Sequence, residues 1–312
     1  MTAPCLTYSV RTFFDATEQE AGLPGWEQRY MRTHGGSFEG SVAQVSLGPV
    51  TISEERSSIG MLQWSAPPPG KIIIAFVASN QKLGFNGMAV ADCLMLQRGG
   101  SEILCHSNAS LPERGMMIEV DETAVDLPPG LFRRAAIVTC PSSRQILDIS
   151  RYFEQILQSA PTTMRIAPAI LQQEIVEILM DKVQYLVDQF KQNECRLLGD
   201  RTSAADILLR AESFFVENEP EDITIQSLCE GLAINQLTLR NAFAELLSMT
   251  PREWLIARKL DIGHRLLSGG TITTTQLALA SGFGHLGRFS TYYRKIYGDL
   301  PSTKRVERLR AY

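Results

Sequence analysis

The last third of this chain carries one pattern twice, fifty positions apart, and that repetition limits the possible folds more than any other feature. The first copy places apolar residues at Leu239, Ala242, Phe243, Leu246 and Leu247; the second places them at Phe289, Tyr292, Tyr293, Ile296 and Tyr297. Both sets fall at i, i+3, i+4, i+7 and i+8, one face of an α-helix. Pro251 and Pro301 follow the two copies in register. A shorter helical stretch precedes each, over 225–231 and 275–281. Helix, tight turn and second helix, given twice, is a doubled helix-turn-helix. Such a unit sets two reading helices toward neighbouring major grooves of double-stranded DNA.

The second copy carries a sharper signal: Leu277 and Ala278, then Ser281, Gly282 and Phe283, then Phe289, Tyr293, Gly298 and Pro301. This spacing is similar to an Ala-x-x-x-Gly-Phe turn, an aromatic helix and a Gly-x-x-Pro stop. On these residues the chain from about 203 to 312 resembles the DNA-binding domain of the AraC/XylS-type transcription regulators. The run Gly282-Phe283-Gly284-His285-Leu286-Gly287-Arg288-Phe289 is most similar to the ethanolamine-utilisation subgroup and fixes no inducer. Thr274 stands where the family usually has Val or Ile, and Ser281 where an apolar residue is commoner; both soften the second motif's core. The resemblance implies a cupin-like sensor ahead of the DNA-binding domain, and dimerisation through helices of the sensor half. It also implies RNA polymerase as a partner if the outcome is activation.

Charge places the nucleic-acid partner at the same end. The chain as a whole carries −4, yet residues 223–312 hold 3 Lys and 9 Arg against 2 Asp and 4 Glu, a net +6, leaving −10 on the rest. At 312 residues the chain is long enough for two or three domains. The longest apolar run, 72–78, is strand-sized, so no membrane span is expected. The N-terminus lacks a basic start with an apolar core, so no signal peptide is expected. Six cysteines lie scattered without a C-x-x-C pair, which predicts reduced thiols in a cytoplasm.

Residues up to about 140 read as short strands over 37–47, 50–53, 61–64, 72–78, 93–97, 102–105 and 116–120. Gly48-Pro49, 67–70, Asn86-Gly87, 98–100 and 128–130 supply turn chemistry between them. This punctuation predicts a β-sandwich or small barrel. From Ser142 the pattern turns helical, over 146–158 and 169–191. The second stretch has a broad apolar stripe that includes Ile175, Ile178, Leu179, Leu186 and Phe190. That width asks for two partners, the β-domain and the same helix of a second chain, or else the stripe only covers its own sheet. A polar linker is expected over 192–202, and a first DNA-domain helix from Ser203 through Phe215.

Between the two motifs, Thr250-Pro251-Arg252-Glu253 is a capping box with proline at the first helical position. It opens a helix to Leu267 that would fix the separation of the two readers. Base-reading positions at the start of each reading helix are Gln236, Leu237, Arg240 and Asn241, and then Leu286, Arg288 and Thr291, with His285 as cap. Arg pairs with guanine, Asn or Gln with adenine, and Leu touches a thymine methyl. Arg294 and Lys295, with Arg258 and Lys259 on the connecting helix, are expected on phosphate. Trp254 belongs in the interhelical core. Arg29, Tyr30 and Arg32, with Arg56 and Trp64, offer cationic and aromatic groups to a pocket, unless they are merely exposed strand residues.

No catalytic constellation is visible. Only His34 and His106 lie in the β-rich half, without a His-x-His pair, so neither a metal site nor a cofactor is expected. The resulting expectation is an α+β chain in three parts: a β-sandwich or cupin-like sensor over 1–141, dimerisation helices over 142–198, and an all-α double helix-turn-helix over 203–312. Its expected function is that of a non-enzymatic, homodimeric, sequence-specific regulator responding to a small-molecule effector. The alternative is a DNA-binding protein whose N-terminal domain serves only oligomerisation or protein contact. A catalytic cupin fused to a DNA anchor is a remote third.

Overall fold

The computed structural model describes residues 6–77, 83–86, 88–107, 113–132, 137–162, 169–192, 196–197, 203–267 and 272–303. Its N-terminal part is a two-sheet sandwich. The large sheet runs in the order β1 (Leu6–Phe13), β3 (Gly40–Leu47), β4 (Val50–Ser57), β11 (Glu113–Asp121), β6 (Lys71–Val77), β9 (Cys93–Arg98), β12 (Ile137–Pro141) and β13 (Arg196–Leu197). The small sheet runs β2 (Glu27–Arg32), β5 (Met61–Ala66), β10 (Ile103–Ser107), β7 (Leu83–Phe85) and β8 (Met88–Val90). All pairings are antiparallel. Gly48-Pro49 forms the two-residue turn between β3 and β4, with Gly48 at φ +59, a conformation open to glycine at little cost.

The apolar run in β6 is continuous because both faces are buried. Ile72 and Ile74 enter a core shared with helices α2 (Arg144–Ser159) and α3 (Ala169–Gln192), while Ile73, Ala75 and Val77 face the small sheet. Ser143 caps α2 by accepting from the Ile146 N–H. In α3, Leu179, Val183, Leu186 and Val187 are fully buried in that same core. Most of the broad stripe is thus spent within the chain, and among its described side chains Leu171 and Ile178 are the ones that remain well exposed, at 44% and 46%. The stretch read as a linker also holds β13, which pairs with β12, so the β-unit extends past α3. Pro168, just ahead of the predicted helix over 169–191, lies outside the described residues.

The C-terminal part is α4 (Ser203–Glu217), α5 (Ile225–Leu232), α6 (Gln236–Leu247), α7 (Pro251–Leu267), α8 (Thr274–Ala280) and α9 (Leu286–Tyr297). Trp254 is fully buried, edge-on to Phe215 at 5.9 Å and Phe243 at 5.2 Å, as its core placement requires. Leu260, Leu277, Phe289 and Tyr293 form the second core. Ser281, a departure from the usual apolar residue, is buried yet satisfied: its hydroxyl donates to the Leu277 carbonyl at 2.6 Å. Among the described residues no helix is long and apolar enough to cross a membrane.

The two parts share a core. Period-2 alternation in the small sheet sends Met31, Leu62, Trp64 and Leu104 outward, into the cluster built by α4 to α7. Polar contacts surround that seam. Arg265 pairs with Glu20, and Arg29 with Asp261 at 3.3 Å. Asp15, which caps α1 (Ala16–Gln19), accepts from His264 Nε2 at 2.7 Å, while His264 Nδ1 contacts the Tyr293 hydroxyl at 2.7 Å. Burial pushes the Asp15 carboxyl up, but His264 and Thr17 more than offset this and hold it well below the usual carboxylate range.

Candidate nucleic-acid interface

Each reading helix is defined by its turn. Thr224 and Ser227 close a capping box on α5, and the turn before α6 passes through Ala233 at φ +56. Asn235 then caps α6, its side chain accepting from the Thr238 N–H at 2.8 Å. Thr273 and Gln276 form the matching box on α8. Gly282 turns the chain at φ +73, and a Cβ there would lie 2.5 Å from the Pro220 backbone, so only glycine fits. Phe283 packs against Phe289 at 5.4 Å. His285 occupies the cap position of α9, but its side chain makes no capping bond. The first N–H groups of α9 therefore lack a side-chain acceptor from their cap.

Inward faces of α6 and α9 are filled by Leu239, Phe243 and Leu246, and by Phe289, Tyr293 and Tyr297. Outward stand Gln236, Leu237, Arg240 and Asn241 on α6, and Leu286, Arg288, Thr291, Arg294 and Lys295 on α9, all exposed. Thr291 is partly committed, since its hydroxyl donates to the Gly287 carbonyl at 2.8 Å. Arg240, Gln236 and Leu237 border a groove with Thr250, Pro251 and Arg252. Arg252 is exposed at the start of α7, a position where a helix N-terminus and a cation both suit phosphate. In the sequence it stood out only as a member of the capping box, which does form, with Thr250 and Glu253 bonded reciprocally.

The connecting helix corrects a second expectation. Arg258 does not face phosphate: it is 2% exposed, with Nε donating to Glu212 at 3.0 Å and Nη1 to Asp261 at 3.1 Å. Lys259 is also buried, near the Gly282 carbonyl. Arg258 is consumed by internal ion pairs and Lys259 by burial against the Gly282 carbonyl, which a one-dimensional pattern cannot distinguish from exposure to phosphate.

A second candidate site lies between the sheets. A cavity of about 120 Å³ is lined by Tyr30, Glu55, Met61, Met95, Cys105 and Glu113, among others. Of the residues expected to offer cationic and aromatic groups to a pocket, only Tyr30 is among its described lining. Arg29 lies over Trp64 on the opposite face, Arg32 over Tyr297, and Arg56 pairs with Glu54.

Residues 228–306 match the family profile described as a helix-turn-helix domain. The chain is 34% identical over 96 residues to the XylDLEGF operon transcriptional activator of Pseudomonas putida, covering 30% of each protein. It is 25% identical over 114 residues to the virulence regulon transcriptional activator VirF of Yersinia enterocolitica, covering 36% of this chain and 40% of that protein. The match thus spans about a third of the length of these curated relatives. The crystal structure of the AraC-like transcriptional activator CuxR is similar at 14% identity and a TM-score of 0.43, over 81% of this chain and 94% of that one.

Proposed function

We propose that this chain, whose C-terminal third is a helix-turn-helix domain of the AraC/XylS type, is a sequence-specific transcription regulator controlled by a small molecule seated between its sheets. The observation that carries the DNA-binding part is the pair of helices α6 and α9, whose outward faces hold Arg240 and Arg288, mounted on one frame helix. As regulators named activators are among its relatives, we extend activation to this chain, with RNA polymerase as second macromolecular partner and the cytoplasm as its place of work. The likeness to ethanolamine-utilisation regulators rests on residues 282–289, which belong to the second turn and reading helix. It bears on operator choice and says nothing of the effector. Homodimerisation falls, in this proposal, to the exposed edge of α3 at Leu171 and Ile178.

Arg240→Ala and Arg288→Ala should each weaken operator binding by roughly 1–3 kcal/mol and leave the melting temperature nearly unchanged. Quantitative footprinting reads this, and parental affinity in either variant removes that side chain from the interface. Because α7 fixes both readers, their two groove segments should lie about one helical turn, roughly 34 Å, apart. Inserting about half a turn of DNA between the segments would carry one to the far side of the duplex. Binding that survives the insertion undiminished would contradict simultaneous engagement. For the effector, full-length protein is screened against metabolites by thermal shift, since a ligand of the native state raises its melting temperature. A metabolite that raises it and also changes operator affinity is the expected result; a screen in which none does both overturns effector control.

A further inference from the structure

The cavity between the sheets has largely apolar walls, and its polar lining includes two carboxyls. Glu55 on β4 and Glu113 on β11 both face it. Each is half-buried and lines the cavity. Glu55 Oε1 already accepts from the Tyr30 hydroxyl and from Gln19 Nε2, the latter at 3.0 Å. Glu113 Oε1 accepts from the Met61 backbone N–H at 3.3 Å. Gln19 is fully buried on the same wall. Its Nε2 is fixed by two acceptors, Glu55 and the Arg56 carbonyl, which settles the amide orientation, and its Oε1 has no hydrogen-bond partner. Among the described lining residues the one basic side chain is Arg114, and it is bound to Glu54 and Glu154. The Gln19 oxygen is sealed against Gly40 and is not offered to the cavity. Two neighbouring carboxyls on one cavity wall, with no free cation among the described lining residues, are costly unless a ligand supplies charge and donors.

We propose that this cavity binds a primary amine with an apolar body, its ammonium held between Glu55 and Glu113. An ammonium offers three N–H donors and one positive charge, the complement of these acceptors. Tyr30, Phe85, Met61, Met95 and Met117 would surround the apolar portion, methionines adapting readily to its shape. The inference rests on the reading of the cavity as the effector site and adds the chemical class of the effector.

The ionisation of the site follows from the same surroundings. Burial pushes Glu113 up to about 8; the Met61 N–H opposes this and the neighbouring charge of Glu55 adds to it. Burial also pushes Glu55 up, against the bonds from Tyr30 and Gln19. Tyr30 from β2 and Cys105 from β10, both pushed up chiefly by burial, and the paired Arg114 complete the titratable groups among the described lining residues. At neutral pH the empty site holds Glu113 largely as the acid, and an arriving ammonium displaces that proton. Binding should release about one proton at pH 7 and tighten by up to tenfold per pH unit between 6 and 8.

Phenethylamine, phenethyl alcohol and phenylacetate are matched probes for full-length protein in calorimetry, run in buffers of different ionisation enthalpy. Phenethylamine should bind at least tenfold tighter than the other two, with proton release. Glu113→Gln should cost at least tenfold in its affinity and abolish that release. The fold of the variant is checked by its own signature. A carboxyl raised from 4.5 in the unfolded chain to about 8 makes the native state lose stability as pH rises through that window. The glutamine variant should therefore match the parent near pH 5 and melt higher at pH 8. Glu55→Gln, a second variant, should also weaken the amine. Alcohol or carboxylate binding as tightly as the amine overturns the assignment of ligand class and leaves effector control standing. Amine binding unchanged in both variants overturns the carboxylates as its seat. Failure of all three probes overturns the amine, and the metabolite screen decides effector control separately.

Discussion

Arg258→Ala is expected to destabilise the protein by about 3–5 kcal/mol, because it strips the counter-charge from carboxylates that stay buried. Glu212 depends on this guanidinium most. It is buried, burial already pushes its carboxyl up, and its Oε1 has no hydrogen-bond partner. Asp261 keeps Arg29 and Arg265 as neighbours and loses less. The side chain also stacks over Phe215 at 4.6 Å, so packing goes with the charge. Urea unfolding reads the loss. The salt dependence of DNA binding under conditions where the variant stays folded should be that of the parent, since no phosphate contact has been removed. A variant of parental stability whose salt slope falls by about one would return Arg258 to the DNA surface.

On α3, adjacent residues should give opposite results. Leu179→Glu places a carboxylate into a core with no exposure at all and should unfold the sandwich, at a cost above about 4 kcal/mol. Ile178→Glu, at 46% exposure, should shift stability by less than about 0.5 kcal/mol and dissociate the proposed dimer. Sedimentation of both full-length variants beside the parent separates the effects. A monomeric parent, or an Ile178→Glu protein that remains dimeric, removes this edge as the dimer contact.

The reading helices were legible because their constraints are local. A 3.6-residue period, a Thr or Asn cap and a glycine turn declare themselves within a dozen residues, and Leu239, Phe243, Phe289 and Tyr293 are buried as that period demands. The β-half was legible where strands alternate or run fully apolar. It was not legible at β2, whose sequence Glu-Gln-Arg-Tyr-Met-Arg looks like exposed polar chain. Those residues are polar because their partners come from far away: Arg29 meets Asp261, Arg32 lies over Tyr297, and Tyr30 donates to Glu55. The acidic cavity was hidden for the same reason, since Glu55 and Glu113 are fifty-eight positions apart and meet only through strand pairing. Breadth of the apolar stripe on α3 pointed to a second chain, yet a wide, deep sheet face absorbed most of it.

With the cavity as the proposed effector site, the small sheet has one further consequence. Its strands are a single partition with tenants on both sides. Met61 and Gln63 line the cavity, while Leu62 and Trp64 between them carry the DNA-binding domain. Any substitution large enough to reshape the cavity from this side will push on the residues that seat the reading head, so specificity and gain will drift together in a mutant library. The opposite wall is mechanically insulated: Ile73, Met95 and Met117 border the same cavity, but their strand neighbours, such as Ile74, Leu96 and Ile118, face the α2–α3 layer. Libraries confined to that wall should change what is recognised and leave the strength of the response alone.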